Sequence, residues 1–234
     1  HAVLAGAHAG RARALLLRAG LDLRVVGGDH APDPQDGGRI RRLRGLPSGP
    51  DAELERLDAC ELGLESVPDW FGGLTALRTL DLGHNRLTRV PDLRGLTRLE
   101  ILYLHDNALE SLPPLPASLT YLNVSENPLR ELPPWWLPKL IELRALDLGL
   151  TALPRLELPL VRELHLRRNA LDAVPESVRA LRELRLLDLR SNRLTSVPDW
   201  IVELPRLEKL DLRWNEVYEV PVGLIERGCV VLTE

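Results

Sequence analysis

LRELRLLDLRSNRLTSVPDWIVELPRLEKLDLRWNEVYEVP, residues 181–221, writes one rule twice. The rule is Leu-x-x-Leu-x-Leu-x-x-Asn-x-Leu. It is filled by Leu184, Leu187, Leu189, Asn192 and Leu194, then by Leu207, Leu210, Leu212, Asn215 and Val217. Each copy is followed three residues later by Val-Pro, and the two begin 23 residues apart. A fixed period of this length marks a repeat architecture in which one supersecondary unit is stacked on the next.

Carried backwards, the rule covers most of the chain. Leu77, Leu80, Leu82, Asn85 and Leu87 fill it, then Leu99, Leu102, Leu104, Asn107 and Leu109. Leu119, Leu122, Val124, Asn127 and Leu129 follow, then Leu143, Leu146, Leu148, Thr151 and Leu153, then Val161, Leu164, Leu166, Asn169 and Leu171. A worn first copy uses Leu54, Leu57, Ala59, Leu62 and Leu64. Counted on the second leucine, the steps are 23, 22, 20, 24, 18, 23 and 23 residues. The drift therefore sits in the return segments.

Within Leu-x-x-Leu-x-Leu the alternating residues make one short strand whose second and third leucines point inward while their neighbours point out. Coils bury their leucines only against the coils above and below, so stability is close to a sum of neighbour terms. A fully buried leucine contributes about 2 kcal/mol. The Asn at the turn faces inward, with two donors and an acceptor for the backbone of its own bend and of the adjacent coil. Asn85, Asn107, Asn127, Asn169, Asn192 and Asn215 are read as this structural ladder, which Thr151 and Leu62 interrupt. The coil at Thr151, between the longest and shortest steps, is expected to bend irregularly.

These eight copies resemble the leucine-rich repeat family over about residues 52–222. Return segments such as VPDWIVELPRLEKL resemble the intracellular type of about 22–24 residues. LPPLPASLTYLNVSENPLRELP resembles the type of about 20 residues found in secreted effectors of bacterial pathogens. The resemblance implies an α/β fold: a right-handed solenoid, curved as a horseshoe, with a parallel concave β-sheet and irregular, 3-10 or short helical convex segments. It also implies protein-protein interaction as the job of that concave face.

Outside the repeats, residues 1–50 read as a capping segment, with a helix over 2–19, a strand over 21–26, a turn-rich loop and the basic run RIRRLR. Residues 51–221 form the repeat domain. Residues 222–234 form a C-terminal cap in which Val230, Val231 and Leu232 make an edge strand and Cys229 is a buried small hydrophobe. Trp70, Trp200, Trp135 and Trp136 are expected to shield the convex side.

Composition bounds the function. The chain has 234 residues, 27% charged, with net charge -4 and no apolar run of membrane-spanning length. Residues 1–50 carry +4, which leaves -8 on the remainder and argues against nucleic acid. Cys60 and Cys229 lie seven coils apart, on the order of 30 Å at about 4.8 Å per strand, too far for a disulfide. A reducing, cytoplasmic compartment is expected, or a host cytoplasm for a secreted effector. No methionine occurs, even at position 1, so the chain is expected to be a fragment or processed product. Arginine far outnumbers lysine, which with abundant Ala, Leu and Pro hints at a bacterial, GC-rich genome.

No phosphate loop, His-Glu-x-x-His, Cys-x-x-Cys or Gly-x-Ser-x-Gly is present, so no enzyme, cofactor or metal is expected. Cys60, His84 and His105, with Asp81 and Asp106 nearby, are the nearest constellation, and charged neighbouring strands produce such groupings readily.

The concave columns carry the functional reading. Between the second and third leucines stand Asp58, Asp81, Tyr103, Asn123, Asp147, His165, Asp188 and Asp211. After the third stand Cys60, Gly83, His105, Ser125, Gly149, Arg167, Arg190 and Arg213. Before the second stand Arg56, Thr79, Ile101, Tyr121, Ala145, Glu163, Leu186 and Lys209. Tyr103, His105, Tyr121, Asn123, His165, Arg167, Arg190, Arg213 and Trp214 are the expected partner-binding residues, because Trp, Tyr and Arg dominate hot spots. Asp188 and Asp211 stand beside two of the arginines, and mutual neutralisation is the competing reading. The expected activity is binding of another protein by a monomer, with no nucleic acid and no membrane as partner. The alternatives are the substrate-recognition part of a larger bacterial effector enzyme such as a ubiquitin ligase, and a scaffold without a specific ligand.

Overall fold

A computed structural model describes residues 53–233. Nine three-residue strands, all parallel, form one sheet in strict chain order. They are β1 Arg56–Asp58, β2 Thr79–Asp81, β3 Ile101–Tyr103, β4 Tyr121–Asn123, β5 Glu142–Arg144, β6 Glu163–His165, β7 Leu186–Asp188, β8 Lys209–Asp211 and β9 Val230–Leu232. The central residue of each strand points into the core, and from Leu80 to Leu210 every one of these leucines is fully buried. Sequential strands pair only with their neighbours, as the stacking of one coil on the next requires.

The returning segments are compact where a proline starts them. Pro68, Pro175 and Pro198, with φ of -65°, -61° and -71°, precede 3-10 helices at Asp69–Gly73, Glu176–Ala180 and Asp199–Glu203. Each helix turns one apolar residue, Phe71, Val178 or Ile201, into the core. Trp70 and Trp200 pack partly buried against that core, and Trp135 is buried. Trp136 departs from expectation: it is 63% exposed and joins Glu157 in an isolated bridge, because the bridge geometry turns adjacent side chains to opposite sides. Helix α1 (Val222–Glu226) follows the last repeat, Leu224 anchors it, and Cys229 is buried beneath β9. The segment 1–50 lies outside the described residues.

The fifth coil corrects the sequence reading. Leu143, and not Leu146, pairs with Leu122 and Leu164. The coil is thus framed as Leu140, Leu143, Ala145, Leu148 and Leu150, all buried, while Leu146 is half-buried on the outer side and Thr151 is exposed. The steps become 20, 21, 21 and 23 residues from Leu102 to Leu187, and the expected irregular bend disappears. The physical reason is that a hydrogen-bonded sheet holds every coil in one register. A strand moved by three residues would demand one overlong and one impossibly short return. The concave columns at this coil are Glu142, Arg144 and Leu146 in place of Ala145, Asp147 and Gly149.

The asparagine ladder follows one scheme. Asn127 Oδ1 accepts from the Leu109 N–H at 3.0 Å, and Nδ2 donates to the carbonyls of Leu104, Val124 and Ser125 at 3.0, 3.0 and 3.1 Å. Asn85, Asn107, Asn169, Asn192 and Asn215 reproduce it, each reaching one coil back. Leu148 occupies the ladder position of the fifth coil and fills it with apolar volume.

The residue before each ladder position is left-handed. Glu61, His84, Asp106, Glu126, Asp147, Arg168, Ser191 and Trp214 have φ between 51° and 59°. An L-residue held there costs about 1–2 kcal/mol. The conformation persists because the backbone N–H at seven of these positions donates to a carbonyl of the next coil, as His84 does to His105 at 3.0 Å and Glu126 to Leu146 at 2.8 Å. This column of side chains runs along one rim of the sheet.

Two expectations follow. Asn127→Ala leaves four buried backbone groups without their partner and lowers unfolding stability by about 3 kcal/mol, whereas Thr151→Asn changes it by less than about 0.5 kcal/mol; denaturant titration of both separates the two frames. Glu126→Gly, at an exposed left-handed position, raises stability by about 1 kcal/mol in the same assay, since glycine bears no penalty there.

Candidate concave binding face

The outward side chains of nine strands are forced into columns about 4.8 Å apart, so chemistry separated by more than twenty residues in sequence becomes contiguous. On β3 and β4 the Tyr103 and Tyr121 rings lie 5.0 Å apart between centroids. Tyr103 approaches His105 at 6.0 Å, and His105 meets His84 edge to face at 4.6 Å. Four rings from three coils thus form one strip. Gly83 makes room for it, because a Cβ at that position would collide with the His105 ring. Burial pulls the His105 pKa down to about 4, so its imidazole is neutral at physiological pH. Burial pushes the Tyr121 hydroxyl up, which leaves it a neutral donor. Asn123 turns back on its own strand end and accepts from the Ser125 N–H at 3.2 Å.

Beyond this strip the surface is ionic. Arg144 donates to Glu142 at 2.6 Å. His165 sits among carboxylates, its Nε2 3.3 Å from Glu163 and 3.6 Å from Glu142, its Nδ1 3.8 Å from Asp188. Glu142 and Arg144 belong to this face and were missed from sequence because the fifth coil was framed three residues late. The signal that finds them is the triplet acid-Leu-Arg, present as Glu142-Leu143-Arg144, Asp188-Leu189-Arg190 and Asp211-Leu212-Arg213.

In the last two triplets residues i and i+2 share a face, and the guanidinium folds back onto the carboxylate in a two-pronged clamp. Arg190 bonds Asp188 at 2.9 and 2.7 Å, and Arg213 bonds Asp211 at 3.0 and 2.8 Å. Burial alone would raise the Asp188 carboxyl, but the His165 and Arg190 contacts overcome it and hold the group well below the usual carboxylate range. Arg167 has His165 where the clamp has an acid, and its buried Nε has no hydrogen-bond partner. Trp214 projects from the rim, 67% exposed, with the Arg213 guanidinium 5.6 Å from its ring centre. The face thus brings together Tyr103, His105 and Tyr121 at its centre, and His165, Arg167, Arg190, Arg213 and Trp214 at its C-terminal end.

Cys60 lies at the N-terminal end of the same rim. Burial, with Asp81, Asp58 and Glu61 adding to it, pushes its thiol up to about 12. A thiol in this field stays protonated at neutral pH and is not an activated nucleophile. Cys60 and Cys229 are both free. No helix among the described residues is long and apolar enough to cross a membrane.

Models of the leucine-rich repeat match residues 75–117 (two copies), 118–140 and 159–217. Keratocan of Danio rerio is 38% identical over 79 residues, which is 32% of this chain and 23% of that protein. The chain thus matches about a quarter of the length of this curated relative. Among solved structures, YopM from Yersinia enterocolitica is 32% identical with a TM-score of 0.63, over 76% of this chain and 37% of that one. The leucine-rich repeat domain of the type III effector XopL is 27% identical with a TM-score of 0.66, over 78% and 69%. Repeat models along the chain, a ladder of buried asparagines and a parallel sheet in sequential order agree: the chain belongs to the leucine-rich repeat family.

Proposed function

We propose that this chain recognises a partner protein through the concave sheet and carries out no chemistry on it. The single observation behind this reading is the strip His84, His105, Tyr103 and Tyr121, a run of touching rings on the outward face of a chain only 4% aromatic. Large rings with polar tips supply contact area at little entropic cost and are concentrated in hot spots. Asn123 and His165 flank the strip, and Arg167, Arg190, Arg213 and Trp214 extend the surface toward an acidic segment of the partner. In Arg190 and Arg213 the clamping aspartate orders the guanidinium but consumes two of its donors, so these residues guide orientation more than they add affinity. Arg167, without such a clamp, carries the stronger charge-assisted contact. The likeness to the XopL repeat domain and to YopM supports a bacterial effector setting, in which the same face would select the substrate of a larger enzyme. The two free cysteines fit a reducing cytoplasm.

The test is affinity capture from lysates with the wild-type chain, a Tyr103→Ala/Tyr121→Ala variant and an Arg167→Glu variant, with bound proteins identified by mass spectrometry. A specific partner is retained by wild type and weakened about 30-fold or more by the double variant, as two hot-spot tyrosines imply. An unchanged partner list with intact circular dichroism refutes the concave reading.

The clamp has its own signature. Asp188→Asn leaves Arg190 beside a neutral partner and lowers stability at pH 7 by about 2–3 kcal/mol. A carboxylate whose folded pKa is depressed contributes stability that is full above its unfolded value near 4 and is lost as pH falls toward the depressed value. Denaturation followed from pH 7 downward therefore shows wild type converging on the variant only in acid.

A further inference from the structure

We infer that the N-terminal end of the rim is a binding site for one divalent transition metal of the zinc class, held by Cys60, Glu61, His84 and His105. This goes beyond the partner-binding reading and does not depend on it. One ligand atom each from Cys60, Glu61 and His84 lies within 4.8 Å of the others. His105 Nε2 stands 3.2 Å from His84 Nε2. In a tetrahedral zinc site with Zn–N bonds of about 2.0–2.1 Å, two nitrogen ligands sit about 3.3 Å apart, so the two imidazoles already have the spacing of a ligand pair. Cys60 and Glu61 need only side-chain rotation to close on the same point.

A second feature is independent of those distances. His84 Nδ1 pairs with Asp106 Oδ2 at 2.7 Å. A carboxylate on one ring nitrogen fixes the tautomer that leaves the other as a metal ligand, the usual support behind metal-binding histidines. The backbone is rigid where this chemistry needs it to be. Glu61 and His84 occupy adjacent left-handed positions, pinned by N–H bonds to Gly83 at 3.2 Å and His105 at 3.0 Å. The bare Gly83 lets the His105 ring lie over the strand end.

The surroundings favour a cation. Asp58, Asp81 and Asp106 face Cys60 from β1, β2 and the turn after β3. A mixed thiolate, imidazole and carboxylate set selects Zn²⁺ or Co²⁺ over Mg²⁺ and Ca²⁺, which want oxygen ligands alone. On binding, the Cys60 Sγ–H bond breaks, its electron pair is donated to the metal and the proton leaves to water. The bound ion ties the first coil to the second and third.

The test uses the full chain, stripped with chelator and titrated with Zn²⁺ by calorimetry and with Co²⁺ by absorption. Expected are one metal per chain, a raised thermal midpoint, and an intense tetrahedral Co²⁺ spectrum with a thiolate charge-transfer band. Cys60→Ser removes that band. His84→Ala weakens binding by at least about 100-fold and Asp106→Asn by about 10-fold to 100-fold. His165→Ala, a control at the separate Glu142, Glu163 and His165 cluster, leaves binding unchanged. The proposal is overturned if the wild-type chain shows no saturable binding, if its Co²⁺ spectrum lacks the thiolate band, or if His165→Ala and not His84→Ala abolishes binding. The wild-type spectrum decides even where a variant does not fold.

Discussion

A buried amide that serves two coils at once is the interaction on which this molecule depends. Each ladder asparagine sits where a chain leaving a strand must turn inside an apolar stack, exposing carbonyl and N–H groups that no water can reach. Asn127 meets four of them, two on its own bend and two on the coil before. Buried backbone groups left unpaired would cost about 1–3 kcal/mol each. Because the side chain spans the gap, the bend of one coil and the position of the next become a single choice.

The left-handed residue before each asparagine is the corollary. Swinging the amide inward requires the preceding residue to reverse the backbone, and the inter-coil hydrogen bond at that residue holds the reversal. The side chains there carry no steric licence for it; Glu, Asp, Arg, Ser and even Trp214 adopt it. The rim is therefore populated by whatever polar chemistry the sequence supplies, at fixed spacing and fixed direction. Cys60, Glu61 and His84 converge for that reason, and so does Trp214 with Arg213.

The concave face shows how one geometric rule yields opposite outcomes. Residues i and i+2 on a short strand are neighbours. Where they are Asp and Arg, charge is spent internally, as at Asp188 with Arg190 and Asp211 with Arg213. Where they are Tyr103 and His105, nothing neutralises them, and they join Tyr121 and His84 in a strip that water solvates poorly. The face is polarised along its length, rings and carboxylates first and clamped arginines last.

By itself, the order of residues determined the repeat, the direction of every leucine in seven of eight coils and the identity of all six ladder asparagines, because a period-2 strand and an inward turn leave little choice for those residue types. Most columns of the concave face were legible for the same reason. The fifth coil was not, since the run LIELRALDLGL holds two leucine frames three residues apart, and a local pattern prefers Leu148 to Ala145. Only the hydrogen-bonded register with β4 and β6 chose between them, placing Glu142 and Arg144 on the face and Leu148 in the ladder. Nor did local pattern distinguish Trp135 from Trp136, or show that Arg167 lacks the clamp its neighbours have. Those are facts about which side chains end up side by side, and adjacency across coils exists only once the stack has closed.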